Sequence, residues 1–337
     1  MTDPMQLAPF DEDSRYQDRL GFFARLRESR PVAPVRMPGY GRAWIVTRYA
    51  DVRTVLTDPR LAKDVHRWPG GGRSRPCEAT GVCAHMLHAD PPEHTRLRRL
   101  VQKVFTPHRA ALLRPRAQEI AAGLLEEMAA ARGDVIDLLG AYARPLPIAV
   151  LCELLGIPVA DRAWIAVTVA AYDERAEHQR VERDLAAYFT ELIAARRAGP
   201  RDDLVSALAV ARDNTGGAAD GLTGNELLST QDVPVGDVVI PAGEWVFPAI
   251  SSANTDPAQF PDPDGLDLDR DTSGHVAFGH GVHYCLGAPL ARMEAEVALG
   301  ALLARFPRIS PAVPPSELRW RPVSLMNGLE SLPVRLA

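Results

Sequence analysis

The stretch Ala277-Phe278-Gly279-His280-Gly281-Val282-His283-Tyr284-Cys285-Leu286-Gly287-Ala288-Pro289 organises a chain of 337 residues. Its glycines at 279, 281 and 287 punctuate a loop and allow backbone turns that residues with a Cβ resist. A helical pattern follows at once, with Leu290, Met293 and Val297 at i, i+3 and i+7 on one apolar face. Pro289 suits a first helical turn, where its missing N–H costs nothing. Cys285 therefore stands just ahead of a helix N-terminus, where backbone N–H groups and the positive end of the helix dipole favour a thiolate. Two readings of such a cysteine stay open. One is an inert, buried thiol beside a turn. The other is an anionic sulfur, beside glycines that admit a flat ligand, of the kind a heme iron takes as axial thiolate.

Phe278, Gly279, Gly281, His283, Cys285 and Gly287 stand together at fixed spacing, and the stretch resembles the heme-binding loop of the cytochrome P450 superfamily. Other words of the chain resemble bacterial members in the same order: Trp44-Ile45-Val46-Thr47-Arg48-Tyr49, Asp58-Pro59-Arg60-Leu61, Cys152-Glu153-Leu154-Leu155-Gly156-Ile157-Pro158, and Asn254-Thr255-Asp256-Pro257. Thr255 replaces an arginine common at that place in the family. The resemblance implies a mainly α fold with small β-sheets, heme b as cofactor, and Cys285 as the metal ligand. Phe278 would pack beside the sulfur, while Gly279 and Gly281 would let the backbone pass close to it.

Composition agrees with such a protein. The apolar fraction of 46% and charged fraction of 24% are ordinary for a globular chain that can bury a sizeable core. A net charge of -5 gives no reason to expect nucleic acid. Cys77, Cys83, Cys152 and Cys285 are too few for a disulfide framework. The start Met1-Thr2-Asp3-Pro4 lacks a signal-peptide pattern, and the most apolar region, from Val135 to Ala160, is broken by Arg144, Glu153 and prolines. A soluble, cytoplasmic protein with no membrane partner is expected. A rival donor set, Cys77, Cys83, His85 and His88 in a Gly/Arg/Pro-rich loop, has the donor types of a zinc site but a looser first spacing.

Asp90-Pro91-Pro92 reads as the start of a helix running to about Phe105. On it His94 and Arg98 share one face, Leu97, Val101 and Val104 form an apolar stripe, and Arg96, Arg99 and Lys103 cluster opposite His94. The first face suits an anion, with Arg98 offering a planar fork for a carboxylate. By the resemblance His94, Arg98 and His283 bond the heme propionates. The second face, continued by His108 and Arg109, suits an acidic electron carrier or is an ordinary solvated surface.

Near residue 230 the resemblance breaks. Gly221 to Thr230 look like the entrance to the family's long central helix, whereas Gln231 to Gly243 look like a hairpin from much later in that fold. The expected fold therefore lacks the central helix, with its acid–alcohol pair, and the Glu-x-x-Arg helix, the gap falling between Thr230 and Gln231. One domain, residues 1–337, is expected, its helical part ending at 230 and its heme-thiolate part spanning 231–337. The resemblance implies a monooxygenase that takes electrons from ferredoxin and an NAD(P)H-dependent reductase to oxygenate a small organic substrate. The gap opens an alternative, a heme-binding protein with impaired or no monooxygenase activity. Ser229 and Thr230 carry hydroxyls near the break, but their sequence position alone assigns them no distal role.

Overall fold

Adjacent residues on the strands of the main sheet serve two different cores. In the computed structural model, which describes residues 18–37, 40–64, 86–131, 133–171, 177–210, 227–321 and 328–336, strands β1 (Val32–Met37), β2 (Gly41–Val46), β3 (Leu61–Ala62), β5 (Leu227–Ser229) and β8 (Trp245–Pro248) form one sheet in the order β1-β2-β8-β5-β3. Val32, Trp44, Val46, Leu227 and Val246 pack into one cluster, with Tyr49, Val52 and Val55 of helix α2 (Tyr49–Thr57). Their neighbours Ala33, Ala43, Ile45, Leu228 and Trp245 pack into another, with Phe23 and Leu26 of helix α1 (Arg19–Ser29). The period of two along each strand makes this division, and burial on both faces removes the polar alternation of a one-sided sheet.

One reading of the sequence is corrected here. Leu227–Ser229, expected to enter a helix, form a strand antiparallel to both β8 and β3, because Leu227 and Leu228 each fill a core on opposite sides of the sheet. Within Gln231–Gly243, which reads as a hairpin, Val238–Ile240 form β7. β7 pairs with β6 (Val233–Val235), while β8 lies parallel to β2 with Ala43 opposite Trp245.

Contacts divide the chain into two units interleaved along the sequence. The sheet belongs to the unit made of Met1–Thr95, Ala219–Cys285 and Pro322–Met326. The other, Arg96–Ala218, Leu286–Arg321 and Asn327–Ala337, is helical. Helix α3 (Glu93–Val104) begins in the first unit and continues in the second. The second unit holds α4 (Pro107–Leu112), α5 (Arg114–Ala130), α6 (Pro145–Leu155), α7 (Val159–Ala171), α8 (His178–Ala198) and α9 (Leu204–Val210). After the first unit's short α10 (Ile250–Asn254) comes the second unit's α11 (Ala288–Arg305). The small sheet of the second unit has the order β4-β10-β9, from Ile136–Asp137, Pro333–Arg335 and Ser310–Pro311.

The stripe expected on α11 is its buried face. Leu290, Met293 and Val297 are 5–7% exposed and pack with Leu125, Leu146 and Val150. Each such burial is worth roughly 1.5–3 kcal/mol. The sequence reads as one helix from Ala110 to Arg132, and the structure has two, since Leu113 separates α4 from α5 and Pro115 sits in the first turn of α5. Residue 132 lies outside the described residues, as do 214–221, where the sequence reads as a Gly-rich turn. Cys152 is a core thiol, 1% exposed, and burial raises its pKa.

Candidate functional site

The loop that ends in Cys285 is built turn by turn within the first unit. The Asn254 side-chain oxygen accepts the Val276 N–H at 2.8 Å, and the Tyr49 hydroxyl donates to the Gly274 carbonyl at 2.6 Å. The Gly279 N–H closes a turn on the Val276 carbonyl at 2.8 Å. Gly281–His283 make one 3-10 turn, and the Cys285 N–H then returns to the Phe278 carbonyl at 2.8 Å. Gly279 and Gly281 have φ of 76° and 73°, left-handed values that a Cβ disfavours. At Gly281 a Cβ would also stand 2.9 Å from Thr57 Cγ2 and 3.2 Å from the Leu56 carbonyl oxygen. The Phe278 ring meets His275 and Tyr284 at 5.7 and 6.5 Å. Cys285 is exposed, in contrast to buried Cys152.

His94 comes to the same unit from the first turn of α3. The Asp90 carboxylate accepts the N–H groups of Lys63 and Asp64 at 3.1 and 3.0 Å, and its carbonyl accepts the His94 N–H at 3.0 Å, which starts the helix. His94 is 1% exposed. Its ring lies 4.2 Å from that of His283, centroid to centroid, tilted by 51°. The structure thus joins two expected site residues, His94 and His283, 189 positions apart in sequence. Arg98 follows one turn later on α3 and Gly287 is the N-cap of α11, both in the second unit.

These residues fit a heme held through sulfur. An exposed thiol closes a turn whose left-handed glycines place no side chain beside it, and two adjacent imidazoles can donate N–H bonds to carboxylates. The zinc alternative is not assembled among the described residues. Cys77, Cys83 and His85 lie outside them, and His88 is buried at the end of the 3-10 turn Met86–His88. The hydroxyls near the break are engaged in structure. Ser229 Oγ donates to the Pro241 carbonyl at 2.7 Å and accepts the Glu244 N–H at 2.9 Å, and Thr230 Oγ1 donates to the Arg60 carbonyl at 2.9 Å. On the second basic face Arg99 and His108 are exposed, while Arg109 pairs with Asp202 at 2.8 Å. The side chain of Lys103 lies outside the described residues.

Arg53, which carries no motif of its own, lies close to the loop. Arg53 Nη2 lies 3.1 Å from His280 Nε2, across 227 positions of sequence. The available signal was His280 itself, the one side chain between Gly279 and Gly281.

A loop closed on a cysteine, with a helix-start histidine against His283, can hold a heme through sulfur. The cytochrome P450 family model matches residues 226–327, which include this loop. Cytochrome P450 107B1 of Saccharopolyspora erythraea is 39% identical over 399 aligned positions, covering 98% of this chain and 97% of the relative. The mycinamicin IV hydroxylase/epoxidase of Micromonospora griseorubida is 40% identical, with 93% of this chain and 94% of the relative covered. The structure of the cytochrome P450 PksS, from the bacillaene polyketide synthase of Bacillus subtilis, matches all of both chains with a TM-score of 0.85 and 30% identity. The chain belongs to the cytochrome P450 family. The family's cofactor is heme b, bound through a cysteine thiolate, and its enzymes are oxidoreductases, among them the bacterial monooxygenases of secondary metabolism to which this chain is similar. Among the described residues no helix is long and apolar enough to cross a membrane.

Proposed function

We propose that Cys285 is the axial thiolate of a heme b and that the chain belongs by descent to the monooxygenases that oxygenate small organic molecules with electrons from a ferredoxin. The observation that carries this reading is the closed turn from Phe278 to Cys285 with the His94 ring tilted against that of His283. Heme bound through a thiolate supplies the redox chemistry by which one oxygen atom of O2 enters the substrate and the other leaves as water. The chain's own part is to hold it. Cys285 offers the sulfur, His94, His283 and Arg98 offer donors to the propionates, and Gly279, Gly281 and Gly287 keep the loop backbone close. Relatives named for mycinamicin and for bacillaene polyketide synthesis support a polyketide-type secondary metabolite as the substrate class.

A second reading has its own support, a protein that holds heme but oxygenates poorly. The alignment with cytochrome P450 107B1 occupies 399 positions, more than the 337 residues of this chain, although both are covered almost end to end. The relative thus has residues that this chain lacks. Strand β5 is continuous with the hairpin after it and the family match begins at residue 226, which favours a break ahead of Leu227 rather than after Thr230. The lost stretch would hold the central helix with its acid–alcohol pair and the Glu-x-x-Arg helix. Proton delivery on the distal side would then fall to no residue of the described chain.

Both parts are tested on one preparation. The reduced protein with carbon monoxide is expected to show the strongly red-shifted Soret band of thiolate ligation. Cys285→Ala should lose that band and Cys152→Ala should keep it. A thiolate spectrum that survives in Cys285→Ala overturns the ligand assignment. Product yield with ferredoxin, reductase and NADPH, set against yield with hydrogen peroxide, then separates the two functional readings. Yield only with peroxide supports the second, and well-coupled NADPH turnover removes it.

A further inference from the structure

We propose that Arg53 is a positioning residue for the Cys285 loop, acting from α2 through His280. Tyr49, Arg53, Leu56 and Thr57 recur at i, i+4, i+7 and i+8, so one face of α2 runs along the loop. Each makes a different contact with it. The Tyr49 hydroxyl bonds the Gly274 carbonyl, Arg53 meets His280, and Leu56 and Thr57 abut the place where Gly281 has no Cβ. The face is itself fixed. The Tyr49 N–H bonds the Asp256 carboxylate at 2.9 Å, and its ring packs edge-on against Phe260 with centroids 5.6 Å apart.

Arg53 bridges this fixed face to the loop at His280. Its guanidinium sits 5.7 Å from the centre of the Tyr49 ring and reaches His280 Nε2 at 3.1 Å. A guanidinium only donates, so Nε2 accepts and the imidazole proton is on Nδ1. Burial first, and the charge of Arg53 second, hold His280 below its ordinary pKa, in keeping with a neutral ring. His280 stands between two glycines in left-handed conformations and carries the one side chain of that three-residue segment. The Phe278–Cys285 closure encloses it. Arg53 thereby limits how often the turn opens and how far the Cys285 sulfur strays.

The spectroscopic part of the test rests on the heme-thiolate reading, and the labelling part does not. In the full chain without heme, iodoacetamide labelling is followed at each cysteine by peptide mass spectrometry. Arg53→Ala should label Cys285 several-fold faster than wild type, His280→Phe should do the same, and Arg53→Lys should fall between. Buried Cys152 should label slowly in all. With heme bound, Arg53→Ala should move part of the ferrous–carbon monoxide Soret band from the thiolate to the thiol position, with Lys restoring part of it. Wild-type labelling of Cys285 in both Arg53→Ala and His280→Phe overturns the proposal. So does an equal rise at Cys152, which would mean general loosening rather than loss of loop positioning. If no heme binds to any variant but the labelling differences appear, the heme reading fails and the role of Arg53 stands.

Discussion

The rings of His94 and His283 lie 4.2 Å apart at an angle of 51°, one from the start of a helix and one from the turn before Cys285. Neither ring can be moved without disturbing the other. Each donor to a heme propionate is a charge-assisted bond worth about 1.5–3 kcal/mol. His94→Ala and His283→Ala should therefore each weaken heme retention by about 10- to 100-fold. Because the rings touch, the double variant should lose less than the two effects combined. Transfer of heme to apomyoglobin measures all three, and simple additivity would show that the rings act independently.

A buried ion pair holds the helical unit together. Arg196 and Asp203, each with a side chain 5% exposed, meet at 2.6 Å, and Arg196 also bonds the Gly156 carbonyl. Removing one partner leaves a buried charge without compensation, so Arg196→Ala should cost about 3–5 kcal/mol in urea unfolding. Burial alone would raise the pKa of Asp203. Bonds from the Ser206 N–H and from Arg196 outweigh it, and the net shift is downward. A lowered carboxylate pKa stabilises the fold above its unfolded value and loses that contribution as pH falls through the folded one. The gap between wild type and Arg196→Ala should thus shrink in acid. Gly156, at φ of 68°, offers a second probe, because a Cβ there would overlap the Asp203 carboxyl.

Glu294 on α11 behaves in the opposite sense. Burial pushes its carboxyl up from 4.5 to about 7. Between those values the unfolded chain has released the proton and the folded chain still binds it, so stability falls as pH rises toward 7. Glu294→Gln cannot ionise and should flatten this part of the profile, gaining on wild type at pH 8 relative to pH 4. Thermal melts across that range give the comparison, and parallel profiles for the two proteins would exclude a buried, protonated Glu294.

The parts of this molecule that sequence made plain are those whose signals are local. The stripe Leu290, Met293 and Val297 is one helix face whatever surrounds it, and α2 was legible from Tyr49 to its stop at Asp58-Pro59. Leu227 and Leu228 carry no such signal. Two adjacent leucines suit a buried helix as well as a strand filled on both sides, and only pairing with Trp245 and Val246 decides. The contact between Arg53 and His280 was illegible for the same reason, since nothing local joins residues 227 positions apart. Arg109 looked like a surface cation and is paired with Asp202, a partner 93 positions away.

The strand order β1-β2-β8-β5-β3 also sets a timetable for the newborn chain. The β1–β2 hairpin leaves the ribosome early, yet β8, its neighbour in the sheet, starts only at Trp245. At roughly 5–20 residues per second, β2 waits on the order of tens of seconds with an unpaired edge. Ala43, Ile45, Trp44 and Val46 line that exposed strand on both faces. Until β8 emerges, nascent chains in this window are open to misassociation through that unpaired edge.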